Sequence, residues 1–320
     1  MDRRSNRAPQ LAVLVSTLLW GTLWIPVRRL HEAGSGGAAV TTLGFLLPLA
    51  LLLPAALARG RRTRAGLREL RFAGFWLALG IALYVEGLVR GQIARVILLF
   101  YLTPVWGTLL ARIVLREPIT GRRLATIALG FSGMLAIFGI GAGIPVPRSA
   151  ADGMGLAAGF AWAIALLGFQ RGRSRPLFDR VFVQFVFLAP IFFAVTLLPG
   201  DANTARAAVQ PDARAAAWLL AFALLWMLPV IALTVYAARY VDPGRFAILL
   251  MFEIVVGLAT AALLTDEPFG ARELAGAILV MGAIAVEIGA VRPQSRNLRS
   301  SSPAALPASP PSSSSSRRPA

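Results

Sequence analysis

The residue best placed to do chemistry in this sequence is an acid inside a long apolar stretch. Glu253 lies about seven residues into the apolar run 246–265, which is roughly 10 Å along a helix that rises about 1.5 Å per residue. A charge inside a bilayer costs at least about 2.5 kcal/mol on insertion scales. One hypothesis is a carboxylate that binds and releases a proton or a cationic group of a substrate. The alternative is a structural carboxyl group that is hydrogen-bonded between helices.

A second acid, Glu86, lies near the end of the apolar run 72–89 and is followed four residues later by Arg90. Side chains four residues apart share one face of a helix and can form an ion pair. Two interpretations of this pair stay open. It either has a gating role at the rim of the membrane or is a local salt bridge that contributes little.

Two arginines and two aromatic residues complete the set of candidate site residues. Arg95 and Arg245 are predicted at opposite membrane edges, where a guanidinium group can bind an anionic substrate or reach the lipid headgroups. Trp20 lies about ten residues into the first apolar run, which is too deep for ordinary interfacial anchoring. We therefore expect Trp20 to line a substrate cavity together with Tyr101.

Ten apolar stretches supply the elements that would hold these side chains. Apolar residues make up 57% of the 320 positions, charged residues only 15%, and the mean hydropathy is +0.69, so a water-soluble surface could not be covered. A helix needs about 20 apolar residues to cross the hydrocarbon core. The stretches are 11–27, 40–58, 72–89, 93–115, 124–142, 154–169, 181–198, 215–238, 246–265 and 274–291. The prediction is an all-α membrane protein with ten transmembrane helices.

The distribution of arginine between alternate loops predicts the orientation. Leaving out the C-terminal tail and Arg112, one side carries 18 arginines and the other carries 8. The richer side is expected in the cytoplasm. We therefore predict a multi-pass inner-membrane protein with both termini cytoplasmic. Residues 292–320, which are rich in Ser and Pro, are predicted to form a disordered cytoplasmic tail.

The composition disfavours several functional classes. The chain has no Cys, a single His and no Lys, which excludes thiolate chemistry and the lysine-containing phosphate-binding loop. The net charge of +17 comes from arginines at the ends of apolar runs, and no nucleic-acid-binding motif accompanies it. The expected partners are a small-molecule substrate and the lipid bilayer, with no nucleic acid and no cofactor. A homodimer is left open.

Some residues recur at a fixed distance along the chain. Pairs 142 positions apart are Trp20/Trp162 and Pro48/Pro190, and pairs 150 apart are Trp76/Trp226, Arg95/Arg245 and Glu117-Pro118/Glu267-Pro268. The offset changes at the loop 199–214, which would absorb the insertion. Each repeat would hold five spans, an odd number, so the second would enter the membrane upside down, as in many transporters. We predict two inverted five-helix repeats, residues 1–142 and 143–291.

Several short motifs resemble those of a known family. They are Leu-Trp-Gly at 19–21, the run 98–106 that ends in Thr-Pro-Val-Trp, Arg-Glu-Pro at 116–118, Asp-Pro-Gly-Arg at 242–245, the run 249–253 that ends in Met-Phe-Glu, and Asp-Glu-Pro-Phe at 266–269. On these motifs the chain is similar to EamA-type transporters of the drug/metabolite transporter superfamily. The resemblance implies transport of amino acids, other metabolites or drugs, commonly driven by an ion gradient. One departure is Thr126, where the family often has Gly, against Gly276 in the second repeat.

These observations predict a secondary transporter that exports small metabolites, such as amino acids or drugs, by alternating access, with proton coupling as one option. Two alternatives stay open, an intramembrane enzyme and a non-transporting membrane sensor. An enzyme would need a nucleophile with a base, a metal cluster or paired acids. Glu86 and Glu253 are the only well-placed membrane carboxylates, and nothing in the sequence brings them together.

Overall fold

The structure, a computed structural model, describes residues 8–33, 37–138, 146–172, 174–196, 212–265 and 269–289, and within these ranges it contains helices and no β-strand. The helices of the first half are α1 (Ala8–Gly21), α2 (Trp24–Glu32), α3 (Gly37–Arg59), α4 (Arg61–Arg90), α5 (Ile93–Phe100), α6 (Thr103–Leu110) and α7 (Gly121–Phe138). Those of the second half are α8 (Ala150–Arg171), α9 (Leu177–Thr196), α10 (Ala213–Ala221), α11 (Leu228–Ala237), α12 (Pro243–Leu250), α13 (Phe252–Leu264) and α14 (Ala271–Gly289). Two π-helical segments, Ala111–Leu115 and Phe222–Met227, extend α6 and join α10 to α11.

Nine stretches of the described helices are long and apolar enough to cross a membrane. In chain order, as spans 1 to 9, they are Ala8–Leu30, Thr42–Arg59, Arg61–Arg90, Arg95–Leu115, Gly121–Phe138, Ala150–Arg171, Leu177–Ala194, Ala213–Ala237 and Pro243–Leu264. Each overlaps one of the first nine predicted spans, but span 3 begins at Arg61 rather than at residue 72, because the predicted loop before it continues as helix. The tenth predicted span is helical as α14, but its 19 residues include the charged side chains Arg272, Glu273 and Glu287. The all-helical class is confirmed for the described residues, and the count of ten transmembrane helices stays a prediction.

Large apolar side chains remain exposed on the outer faces of these helices. Leu263, Ile113 and Leu57 are 82%, 73% and 70% exposed. Apolar surface in water is unfavourable by about 25 cal/mol per Å², so extended apolar faces require a non-aqueous contact. Lipid provides that contact, and the helices satisfy their own backbone hydrogen bonds inside it. The exposed faces fit a multi-pass membrane protein.

Two of the spans are interrupted at positions that are 150 residues apart. In span 4, α5 ends at Phe100, and in span 9, α12 ends at Leu250. The first break has a covalent cause, because Pro104 has no N–H to donate to the Phe100 carbonyl. That carbonyl instead accepts a hydrogen bond of 2.5 Å from Thr103 Oγ1. The second break occurs without any proline in the helix that follows it.

The two halves of the chain pack closely across each other. The helix α4 packs along α8 and α7 packs along α14, while α1 contacts α11 and α13, and α8 contacts α5 and α6. A Cβ added at Gly133 would lie 2.7 Å from the Gly276 carbonyl oxygen, so a larger residue there would push α7 and α14 apart. The close approach of α7 to α14 at Gly276 therefore depends on glycine at position 133. Thr126 is buried, and its hydroxyl donates to the Arg122 carbonyl at 2.6 Å.

Four features of the sequence-based prediction lie wholly or largely outside the described residues. They are the repeat boundary at 142/143, the insertion loop 199–214, the Glu267-Pro268 motif and the tail 292–320. The division into residues 1–142, 143–291 and 292–320 therefore stays a prediction.

Candidate functional site

The predicted acid Glu253 lies where the two interrupted spans meet. It is the second residue of α13, and Tyr101 lies in the break between α5 and α6. The Tyr101 hydroxyl donates a hydrogen bond to Glu253 Oε2 at 3.2 Å and lies 3.5 Å from the Leu250 carbonyl oxygen. Tyr101 is only 1% exposed, so its hydroxyl is held away from solvent. The structure thus brings two of the six predicted site residues into direct contact.

A series of aromatic rings continues from this contact to span 1. Phe100 packs against Tyr101 with ring centroids 5.2 Å apart and against Tyr84 at 4.4 Å. Phe100 also packs edge to face against Trp162 at 5.7 Å, and Trp162 packs against Trp20 at 5.9 Å. We call these five residues the aromatic cluster. Because the face of an aromatic ring is electron-rich, the cluster offers a favourable surface to a cationic group beside Glu253.

The aromatic cluster and, separately, helix α9 contain polar atoms with few hydrogen-bond partners. Trp20 Nε1 donates a long hydrogen bond of 3.5 Å to Thr234 Oγ1. Trp162 Nε1 is buried and has no hydrogen-bond partner among the described residues. Gln184 of α9 is fully buried, and in the same ranges neither atom of its amide has a partner. An unpaired buried polar group costs roughly 1–3 kcal/mol, so water or a ligand that pairs with it is stabilising.

Glu86 forms the local ion pair that is one of the two interpretations of the sequence. Its Oε2 lies 2.7 Å from Arg90 Nε, one helical turn along α4. The Arg90 side chain is 41% exposed, and a pair of this kind contributes about 0.2–1 kcal/mol to stability. A gating role for Glu86 stays a prediction.

Arg95 is buried and ion-paired. Its Nε and Nη2 donate to Asp152 Oδ2 at 3.1 and 2.8 Å, and Nη2 also donates to the Val146 carbonyl at 2.8 Å. The pair joins α5 to the start of α8 and therefore links the two halves of the chain. The acceptors on Asp152 and Val146 explain the burial of this guanidinium group without a substrate or a lipid headgroup. A role of Arg95 in transport stays a prediction.

The partner of Arg95, Asp152, was not among the predicted site residues. It follows Ser149 by three positions, which is the serine-x-x-acid spacing of a helix N-terminus. In the structure Ser149 Oγ accepts a hydrogen bond from the Asp152 N–H at 3.1 Å. The capping pattern could have located Asp152 at the start of α8, but it carries no information about Arg95.

Arg245, the counterpart of Arg95, belongs to a group of four charged residues that we call the ion cluster: Arg123, Asp242, Arg245 and Glu287. Arg123 Nη2 lies 2.8 Å from Asp242 Oδ1. Both arginines lie further from Glu287 Oε1, Arg123 at 3.7 Å and Arg245 at 3.9 Å. Asp242 also caps α12 by accepting from the Arg245 N–H at 2.9 Å. The ion cluster joins α7, α12 and α14.

Glu253 is half-buried, and its hydrogen-bond partner differs from those of three other acids, Asp152, Asp242 and Glu287. Asp152, Asp242 and Glu287 each face an arginine, whereas Glu253 forms no ion pair within the described residues and accepts instead from the hydroxyl of Tyr101. In the same part of the chain, no group of three or more His, Cys, Asp or Glu side chains is placed to hold a metal ion. An uncompensated acid at this depth carries a cost that a binding role would explain.

Comparison with known proteins agrees with this architecture. The model of the EamA-like transporter family matches the chain twice, over residues 8–139 and 149–288. A solved structure described only as "Crystal structure of protein" superposes with a TM-score of 0.67 at 17% sequence identity, over 88% of this chain and 96% of that one. At that identity the likeness concerns the fold alone. Comparison with curated proteins gives no match.

Nine apolar spans in the described part of the chain, together with a half-buried acid between two of them, define a multi-pass membrane protein of the transporter type. The chain belongs to the EamA-like transporter family, since the family model covers nearly all of the described helices in two parts. The resemblance seen in the short motifs is therefore confirmed, and the protein is a membrane transporter of the drug/metabolite transporter superfamily. Members of this family are transporters and not enzymes, which at the level of the family disfavours the enzyme alternative.

Proposed function

We propose that the protein is a secondary transporter that exports small metabolites, such as amino acids or drugs, by alternating access coupled to protons. One observation carries this proposal. Glu253 lies at the meeting point of two interrupted spans, hydrogen-bonded to Tyr101 and, within the described residues, without an ion pair. Interrupted helices with an ionisable residue between them are typical of the substrate and coupling-ion sites of carriers.

The proposed architecture is two inverted five-helix repeats related by a two-fold axis. Under that symmetry spans 1 to 5 are equivalent to spans 6 to 10, so a contact between spans 3 and 6 requires one between spans 8 and 1. The contact of α4 with α8 is the first, and that of α1 with α11 is the second. Likewise α8 contacts both segments of span 4, and α1 contacts both segments of span 9. This exchange of partners supports the proposal, as do the two breaks 150 residues apart.

The proposed coupling uses one carboxylate for two ligands. With a proton bound, Glu253 is neutral and its transfer through the hydrocarbon depth is less costly than that of the charged form. Once the proton leaves, the carboxylate can bind a cationic group of the substrate, which the ring faces of the aromatic cluster also favour. Because proton and substrate compete for the same oxygens, the outward movement of one is exchanged for the inward movement of the other.

We further propose that the end of the molecule at the start of α12 is the closed cytoplasmic end. A Cβ added at Gly107 of α6 would lie 3.0 Å from Gly244 N, so α6 and α12 are in backbone contact there. Seven of the eight residues of α12 are buried, whereas α13 has a single buried residue, Val256. The ion cluster adds the 2.8 Å contact between Arg123 and Asp242 at the same end. Export would require these contacts to open and re-form in each cycle.

The proposed location is the inner membrane with both termini in the cytoplasm. Arg175 Nε lies 2.5 Å from Glu69 Oε2, so the arginine-rich segments at the start of span 3 and after span 6 lie at the same end of the molecule. A shared basic end is what the positive-inside tendency expects on the cytoplasmic side.

Transport can be tested with the purified full chain. A screen of metabolites for a rise in melting temperature would first identify a ligand, because binding to the folded state stabilises it. Proteoliposomes loaded with unlabelled ligand should then accumulate the labelled ligand, chemically unchanged, and liposomes without protein should not. Conversion of the label to another compound would support the enzyme alternative. Binding with no exchange across the membrane would support the sensor and overturn the proposal.

A further inference from the structure

An open basic pocket of about 630 Å³ lies at the start of α4. Its lining residues are Arg61, Arg64, Ala65, Arg68, Glu69 and Arg175. The single carboxylate is already engaged, since Glu69 Oε2 lies 2.5 Å from Arg175 Nε. The arginines at 61, 64 and 68 form no ion pair with any of the described residues. The pocket therefore presents three positive charges that lack a counter-charge from the described part of the chain.

The neighbouring arginines are satisfied in a different way. Arg59 lies 3.5 Å from Asp179, and its guanidinium group lies over the ring of Phe178 at 4.6 Å. Arg180 is buried and donates to the Phe169 carbonyl at 3.1 Å at the end of α8. At the same end of the molecule the fold thus supplies acceptors for some arginines and leaves a pocket of others for an external anion.

The pocket continues into an apolar surface on the same helix face. Arg61, Arg64 and Arg68 are followed at spacings of three or four residues by Phe72 and Phe75, so the five side chains form one stripe along α4. Phe72 is 55% exposed and Phe75 is 41% exposed. The stripe changes from charged to aromatic within one helical turn, between Arg68 and Phe72.

The length of α4 sets the depth of this stripe in the membrane. The helix has 30 residues, roughly 45 Å at about 1.5 Å per residue, whereas the hydrocarbon core is only about 30 Å thick. Its first turns must therefore extend into the headgroup region, where arginine meets lipid phosphate. Phe72 and Phe75, one or two turns further along, are therefore at the depth where the hydrocarbon begins.

We propose that this pocket binds an anionic phospholipid. The lipid phosphate accepts hydrogen bonds from the guanidinium groups of Arg61, Arg64 and Arg68, whose planar donors match phosphate oxygens. An acyl chain of the same lipid lies along Phe72 and Phe75. A free phosphate would use the arginines alone, so the exposed aromatic continuation favours the lipid. The site is separate from Glu253 and does not depend on which substrate is transported.

Three soluble probes test the proposal on the purified wild-type chain in a neutral detergent. They are dihexanoyl phosphatidylglycerol, dihexanoyl phosphatidylcholine and glycerol 3-phosphate, each titrated while the melting temperature is followed. We expect the anionic lipid to half-saturate the shift at a concentration at least about tenfold lower than either of the others. Equal effects of the two lipids would overturn an anionic site. An equal effect of glycerol 3-phosphate would assign the pocket to free phosphate and overturn the lipid.

Matched variants locate the binding. The double variant Arg64→Gln/Arg68→Gln should raise the half-saturating concentration of the anionic lipid roughly 25-fold, about fivefold for each arginine. The control Arg116→Gln/Arg122→Gln loses the same charge from two exposed arginines outside the pocket and should change it less than about twofold. Phe72→Ser should weaken the lipid without affecting glycerol 3-phosphate. An equal loss in the control would show that net charge, and not this pocket, attracts the lipid.

Discussion

The indole rings of Trp20 and Trp162 pack edge to face with centroids 5.9 Å apart, although 142 positions separate them in the chain. In two repeats related by a two-fold axis, equivalent residues contact each other only beside that axis. The proposed axis would therefore pass between α1 and α8, through the aromatic cluster. The Glu253–Tyr101 contact lies at the other end of the same cluster. This is where a carrier built from inverted repeats is expected to hold its substrate.

Substitutions of Trp162 can distinguish a structural role of its ring from a binding role of its buried N–H. Trp162→Phe retains most of the ring contacts and removes a donor that has no partner within the described residues, so we expect the free energy of unfolding to change by less than about 1 kcal/mol. Trp162→Ala leaves a cavity and should cost about 3–5 kcal/mol. Thermal unfolding in detergent measures both. If the N–H binds substrate, Trp162→Phe should also raise KM several-fold. A loss of stability as large as that of the alanine variant would contradict this assignment.

The role of Glu253 is tested by removing its proton and keeping its shape. In Glu253→Gln the side-chain carbonyl can still accept from the Tyr101 hydroxyl at 3.2 Å, so we expect normal expression and folding. Uptake driven by an imposed proton gradient should be abolished, because an amide neither gains nor loses a proton near neutral pH. Glu32→Gln is the matched control, since it removes only the exposed ion pairs with Arg28 and Arg29 and should retain most of the transport. Full activity of Glu253→Gln with an unchanged pH profile would refute the coupling role.

The ion pair between Arg95 and Asp152 should matter for stability. Replacing one partner leaves an uncompensated buried charge, so Arg95→Gln or Asp152→Asn is expected to lower the free energy of unfolding by about 3–5 kcal/mol. The double variant should be less destabilised than the sum of the two, because both charges are gone. Arg90→Gln, which breaks the partly exposed pair with Glu86, should cost about 1 kcal/mol or less. Additive losses in the double variant would show that the two side chains are not coupled.

The orientation can be tested directly because the chain contains no cysteine. A cysteine at Arg148, which is exposed just before α8, should react with an impermeant thiol reagent added to intact cells. A cysteine at Arg122, exposed at the start of α7, should react only after the cells are opened. Reversed labelling would place the termini outside and would also reverse the assignment of the closed end. Labelling of both from outside would contradict the span count.

The approximate positions of the spans could be predicted because crossing a bilayer depends on the local composition of the chain. About 20 apolar residues in a row are sufficient to specify a crossing, whatever the helix packs against. The breaks within the spans were only half predictable. Pro104 predicts the interruption of span 4, because its backbone nitrogen has no N–H to donate. The interruption after Leu250 has no such residue, so the sequence carries no local signal for it.

The partners of Arg95 and Arg245 show what could not be predicted from neighbouring residues in the sequence. Arg95 and Arg245 were placed near the membrane edges, with headgroups or an anionic substrate as their partners. Their acidic neighbours in the structure, Asp152 and Glu287, lie 57 and 42 positions further along the chain. Each pair is formed where separate helices meet. Helical periodicity shows which residues share a face, but it does not tell which other helix that face will contact.

The amino-acid sequence by itself determined that this chain spans a membrane, that it contains a duplication and that Glu253 is the acid most deeply placed within an apolar span. All three follow from composition and spacing along one dimension. Only the tertiary structure decided that Tyr101, 152 positions away, donates to this acid, and that Trp20 meets Trp162. These contacts depend on how whole helices pack side by side, and such packing is set by the shapes of many side chains together rather than by any local pattern.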